Sequence, residues 1–141
     1  LILMPSNIKA GSAKASKGIS KFFMPGLNKE MVIVMANNSN FYLNNLDLNG
    51  LDSVTFNVMA PREQLYAQGG RIEIHLDSAT GTLIGKTPEI LPDNSSFTNS
   101  VTVDVTAKIE PTPGMHDVYF VFTKDGYKYG ALFILFNISF R

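Results

Sequence analysis

The side chains best equipped for chemistry in this chain are two histidines, His75 and His116, and a scatter of carboxylates. His116 is followed directly by Asp117. Adjacent residues of a strand point to opposite faces, so this pair cannot form the base and orienter of a nucleophilic relay. No cysteine is present, which removes thiolate nucleophiles, thiolate metal sites and disulfides together. No serine stands in a Gly-x-Ser-x-Gly turn. Asp47, Asp52, Asp77, Asp93, Asp104, Asp117 and Asp125 form no Asp-x-Asp-x-Asp-Gly loop, and most flank turns, where aspartate serves the backbone. No catalytic residue, metal-ligand set or cofactor is expected. A calcium ion held by backbone carbonyls and one carboxylate would leave no trace of this kind.

Recognition without bond breaking is the remaining chemistry. The chain has 10 Phe and 5 Tyr but no Trp. Most Phe fall at core positions of strands, whereas Tyr66, Phe97, Tyr127 and Tyr129 fall in loops. A loop tyrosine can lay its ring on a sugar face and keep its hydroxyl in water, or it can simply cover the open end of a fold. Asn37, Asn38 and Asn40 occupy one connection and Asn99 another. Their amides donate and accept, which suits sugar hydroxyls, though asparagine is also a good turn residue. The candidate ligand-binding set is therefore Asn37, Asn38, Asn40, Phe97, Asn99, Tyr127 and Tyr129.

These groups must be carried by strands. Ile72, Ile74 and Leu76 alternate with Arg71, Glu73, His75 and Asp77, giving one buried and one wet face. The turn cluster Asp77-Ser78-Ala79-Thr80-Gly81 then leads into a second short strand at 82–84. The same period of two marks 54–58, 101–106 and 118–122, and shorter strands are expected at 19–23 and 41–43. The runs 31–35 and 131–136 are apolar throughout, as in strands covered on both faces. Gly69-Gly70, Asn49-Gly50 and Asp125-Gly126 punctuate them, and Pro111 with Pro113 stiffens one loop. Residues 61–68 hold at most one helical turn. The pattern predicts an all-β fold, a jelly-roll β-sandwich of about eight to ten antiparallel strands.

The chain's 141 residues suit one domain over 1–141, with a core large enough to need no staples. Twelve basic and twelve acidic residues cancel, so no nucleic-acid partner is expected. Lys9, Lys14, Lys17 and Lys21 sit among Gly and Ser in what reads as a solvated loop. The opening run Leu1-Ile2-Leu3-Met4 is too short for a signal peptide or a membrane span. The chain reads as a domain excised from a longer protein, with any export signal outside it and no membrane partner.

With these segments laid out, the chain resembles family 6 carbohydrate-binding modules. The resemblance starts near Asn44-Asn45-Leu46-Asp47-Leu48, continues through Val54-Thr55-Phe56-Asn57-Val58, is strongest over 69–85, and resumes at Gly114-Met115-His116-Asp117-Val118-Tyr119-Phe120-Val121-Phe122. It implies a galactose-binding-like jelly roll and non-catalytic sugar binding. It further implies tethering to the catalytic domain of a secreted or periplasmic bacterial enzyme, and often a structural calcium. The family's binding positions are largely replaced here. A cleft Trp falls on Asn40, a cleft Tyr near Val34, a Trp-rich segment on 94–102 with Phe97 its only aromatic, an Asn on Ile134, and the calcium-linked Asp on Phe136. The expectation is thus an accessory module that binds polysaccharide or oligosaccharide weakly. The alternative is a structural or interaction module with a vestigial cleft.

Overall fold

Alternating side chains fold this chain into strands and almost nothing else. The computed structural model describes residues 6–16, 18–24 and 28–141. Residues 1–5 and Lys17, which carry the expectations about the opening apolar run and part of the basic cluster, lie outside the described residues. The strands are β1 (Ile8–Lys9), β2 (Lys14–Ala15), β3 (Ile19–Met24), β4 (Lys29–Val34), β5 (Ser39–Asp47), β6 (Ser53–Met59), β7 (Arg71–Leu76), β8 (Leu83–Lys86), β9 (Val103–Lys108), β10 (Met115–Thr123) and β11 (Phe133–Phe140). One helical turn, α1 (Arg62–Leu65), lies in the connection expected to hold at most that. No helix among the described residues is long and apolar enough to cross a membrane.

The strands form two sheets with every named pairing antiparallel. One runs β3-β4-β11-β6-β9, with β1 also on β11, and the other runs β2-β5-β10-β7-β8. Residues 133–136 of the apolar run at 131–136 open β11, which lies between β4 and β6, so the composition marks an interior strand as expected, while Ala131 and Leu132 precede it. The eleven strands among the described residues are one more than the upper expected number, and two of them, β1 and β2, are two-residue edge pieces. Such pieces are too short to show a period.

Between the sheets the inward residues are phenylalanines in edge-to-face contact. Phe120 meets Phe41 at 5.4 Å and Phe56 at 5.5 Å, and Phe122 meets Phe133 at 5.7 Å. All five are fully buried, and each such ring contributes on the order of 2–3 kcal/mol through removal from water.

Two irregularities shape the outer faces. In β5, Leu43 faces Val118 and Leu46 faces His116, so Asn44 and Asn45 together oppose Asp117. This bulge puts Asn45 at φ 55°, and the Asp117 carboxylate accepts the Asn45 N–H at 3.0 Å. In β11 the register slips between Leu135 and Asn137, so that Phe136 and Asn137 both lie on the outer face and Ile138 and Phe140 turn back into the main core. At the entry to β7, Gly70 has φ 137°, and a Cβ there would lie 2.2 Å from the Thr123 carbonyl oxygen. Only glycine lets that backbone approach so closely.

Candidate functional site

Although Tyr66 and Tyr129 expose more of their rings, at 62% and 63%, the outer face of the five-stranded sheet carries an aromatic pair framed by polar groups. Register alone builds it. Lys14, Tyr42, Tyr119, His75 and Leu83 lie opposite one another on β2, β5, β10, β7 and β8, one line across the whole sheet. The next line is Asn40, Val121, Glu73 and Lys86. Tyr42 and Tyr119 stack as a cross-strand pair, ring centroids 4.6 Å apart and planes 17° from parallel. Both rings are half-buried. Neither hydroxyl has a hydrogen-bond partner among the described residues. Burial, the neighbouring Tyr42 and the Asp117 carboxylate raise the Tyr119 phenol above its ordinary value, so it stays a neutral donor.

Polar groups frame this pair. His75 faces Glu73 Oε1 through Nε2 at 2.9 Å and the Gly81 carbonyl through Nδ1 at 2.8 Å. The Asn44 amide, oriented with its nitrogen toward Asp117 Oδ1 at 3.2 Å, receives Lys14 Nζ on its oxygen at 3.1 Å. The Asn40 backbone N–H donates to Ser16 Oγ, while its side-chain amide has no partner among the described residues. An apolar platform with fixed donors and acceptors at its border can hold a flat, hydroxyl-rich molecule.

The corresponding face of the six-stranded sheet is closed. Met31, Met59, Ile134 and Phe136 are buried together, with Met24, Ile33, Leu65 and Phe97 packed over them. The loop after β8 forms the cover. Asp93 accepts the Ala60 N–H through Oδ2 at 2.9 Å and presents its carbonyl to the Arg62 N–H at 3.0 Å, while the Phe97 N–H reaches Gln64 Oε1 at 2.7 Å. Ile134 and Phe136, where the resemblance expects an Asn and a calcium-linked Asp, are therefore apolar filling.

The seven residues singled out in the sequence do not gather on one rim. Asn40 lies within β5, not in a connecting loop, and faces the tyrosine platform. Phe97 lies over the opposite sheet. Asn37 Oδ1 accepts the Lys124 N–H at 2.8 Å and so staples two loops, and Asn38 takes φ 64° in the same turn. Asn99 closes a tight turn by donating its N–H to Ser96 Oγ at 2.9 Å. Tyr127 packs against the main core and donates its hydroxyl to the Gly130 carbonyl at 2.8 Å. Tyr129 is the exposed member at 63%, with its ring 5.9 Å from that of Tyr66 and its loop tied back by the Gln68 amide.

Tyr42 and Tyr119 escaped a reading that looked for aromatics in loops. Their signal was present, since each stands at an outward position between inward-facing apolar neighbours. Their adjacency needs the register of β5 on β10. His116 faces the Asp77 carboxylate at 3.1 Å and the Pro113 carbonyl at 3.1 Å, while Asp117 holds the β5 bulge. The neighbours thus point apart, as strand geometry requires.

A structural calcium does not fit the residues in its implied place. Phe136 is buried there, Lys29 Nζ sits 5.5 Å from the centre of its ring, and Lys9 lines the same hollow. Cations and an aromatic ring are the opposite of an oxygen cage. Among the described residues no group of three or more His, Asp or Glu could hold a metal ion.

No curated protein matches the chain. Solved structures do. A family 6 carbohydrate-binding module from Clostridium cellulolyticum in complex with xylose is 31% identical, with TM-score 0.80 over 96% of each chain. CsCBM6-3 from Clostridium stercorarium in complex with cellobiose is 25% identical, with TM-score 0.73 over 96% of this chain and 92% of that one. A glycoside hydrolase family 43 arabinoxylan arabinofuranohydrolase from Bacillus subtilis, in complex with cellotetraose, is 26% identical with TM-score 0.73. It is matched over 99% of this chain but 28% of its own. The profile of the carbohydrate binding module (family 6) matches residues 10–141, and the chain belongs to that family.

Proposed function

We propose that this chain is a non-catalytic module that holds a polysaccharide or oligosaccharide on the outer face of its five-stranded sheet. In this reading it keeps a tethered catalytic domain close to its substrate outside the cytoplasm, in the periplasm or the medium. The observation that carries the reading is the Tyr42–Tyr119 pair, half-exposed, with hydroxyls unpaired among the described residues and the Asn40 and Glu73 side chains in the next register line. A pyranose would lie along the upper edges of the two rings while the border groups bond its hydroxyls. One aromatic platform and a few wet hydrogen bonds offset little of the cost of association, so affinity falls roughly between micromolar and millimolar. The relative seen with xylose makes xylo-oligosaccharides the first probe, with cello-oligosaccharides beside them. Calorimetric titration of the wild type and of Tyr42→Ala/Tyr119→Ala tests the reading. Heat from the wild type that vanishes in the variant supports it, and equal binding by both proteins removes the platform from consideration.

The closed cluster around Ile134 and Phe136 favours a second reading, a structural module whose family cleft has filled in. Here no polysaccharide binds, and deleting the module changes the stability or oligomeric state of the parent enzyme. An unchanged parent rules this reading out.

A further inference from the structure

Beyond the closed cluster, the outer face of the six-stranded sheet opens into a polar groove that the tyrosine platform does not explain. Past the β11 bulge, Asp104, Asn57 and Asn137 form one line across β9, β6 and β11, and Thr106, Thr55 and Ser139 form the next. A solvated sheet face is ordinarily screened by long charged side chains that lie over their neighbours. Here the floor is short residues, which leaves a hollow of about 310 Å³ with Lys29 and Arg141 among its walls. A second hollow of about 380 Å³ adjoins it, sharing Lys29 and Asn137 and bringing in the ring of Phe23, 53% exposed.

The hydrogen bonding inside this groove is uneven. Thr55 and Thr106 join their hydroxyls at 2.8 Å. Asn57 gives its amide nitrogen to Asp104 Oδ1 and Thr102 Oγ1, both at 3.0 Å, so the carboxylate on the floor is already engaged. The Asn137 amide, the Ser139 hydroxyl and the Arg141 guanidinium have no partner among the described residues. Among the described residues the Lys29 ammonium meets only the Phe136 ring. Among them, neither cation forms an ion pair there, in a chain whose net charge is zero. The backbone of Arg141 is held by Ser53 through N–H···O bonds of 2.9 and 3.0 Å in both directions, which fixes the root of its side chain.

We propose that this groove is a second saccharide site, independent of the platform, for a chain that carries carboxylates: a uronic-acid polysaccharide. Lys29 and Arg141 pair with carboxylates of the sugar residues, Arg141 with a two-pronged geometry. Asn137 and Ser139 bond ring hydroxyls, and Phe23 offers one ring face at the far end. The two sites lie on opposite sheets, so one molecule can hold a neutral and an acidic chain at once.

Affinity electrophoresis in gels containing polygalacturonate or neutral xylan tests this with three proteins: wild type, Lys29→Gln/Arg141→Gln, and Tyr42→Ala/Tyr119→Ala. Polygalacturonate is expected to retard the wild type. The glutamine double variant should lose about fivefold or more in affinity for it, since two exposed charge pairs are removed. The tyrosine variant should stay within about twofold of wild type, as distant sites act independently. Xylan reverses the pattern, so a failure of the platform leaves the polygalacturonate result standing by itself. Asn137→Ala/Ser139→Ala, which keeps both cations, separates hydroxyl recognition from plain charge attraction and should also weaken retardation. No retardation of the wild type by polygalacturonate overturns the proposal. So does retention unchanged by the glutamine pair, or retention lost with the tyrosines.

Discussion

The two outer faces of the sandwich are built from the same kind of strand yet behave oppositely. On the five-stranded sheet the outward line across β5 and β10 is tyrosine beside tyrosine, both rings half-buried. On the six-stranded sheet the outward line across β11 and β6 is Ile134 beside Met59, and a long loop folds Phe97 down on it. A hydroxyl on an aromatic ring keeps the first face wet and available. Its absence on the second makes a cover favourable. The same β-scaffold thus carries an open tyrosine pair on one side and, over part of the other, a second small core closed by a loop.

The strongest way to break this contrast is to hollow out the covered face. Ile134→Ala should cost about 2–5 kcal/mol of stability, the range for a buried aliphatic truncation, read from urea unfolding. A loss under about 1 kcal/mol would mean that Phe97 and its loop are not packed there. Next in size, Tyr42→Ala/Tyr119→Ala should weaken saccharide binding about tenfold or more, which equals about 1.4 kcal/mol. Its stability cost should be only about 1 kcal/mol for the cross-strand pair. A collapse in stability with binding intact would invert the roles of the two faces. Glu73→Gln should lower affinity about two- to fivefold, because it removes one charge-assisted hydrogen bond at the border and lets His75 turn. Calorimetry with the same oligosaccharide checks it.

The smallest effects are those of pH. Tyr119 is raised, so its contribution is fully present below the ordinary tyrosine value and is lost only as pH climbs past about 10. Glu89 is lowered by the hydrogen bond and charge of Lys124, whose Nζ lies 2.6 Å away. That contribution is present above the ordinary carboxylate value and fades as pH falls through the lowered one. The pair is exposed, so Glu89→Gln should barely move the acid limb of a melting profile. A large shift of that limb would place hidden burial at the rim.

Much of the fold was legible because a period of two is hard to mistake. Ile72, Ile74, Val54, Phe56, Val118 and Phe120 all face inward as the alternation requires. The all-apolar run at 131–136 was legible as a strand covered on both sides, and Phe97 with Met31 and Met59 is what covers the second side. The length of β5 was not legible. Asn44 and Asn45 look like a strand end, and only the Asp117 carboxylate holding the bulge lets the strand continue. The platform was half legible. Tyr42 and Tyr119 each read as outward residues, but they are 77 positions apart, and only the pairing of β5 with β10 makes them neighbours. Tyr127 was legible as a loop tyrosine, but its hydroxyl's partner was not. A hydrogen bond to a carbonyl three residues on turns a loop tyrosine into a strut, and no pattern announces it.

The pairing of Ile8 with Ile138 carries a mechanical consequence. Because β1 and β11 run antiparallel, the backbone entering at one and leaving at the other does so side by side, at the same end of the ladder. Tension applied through both flanks would peel this two-residue contact open one bond after another, without loading its bonds together in shear. Under such a load β1 would yield first, while the phenylalanine interior and the tyrosine face stay assembled behind it.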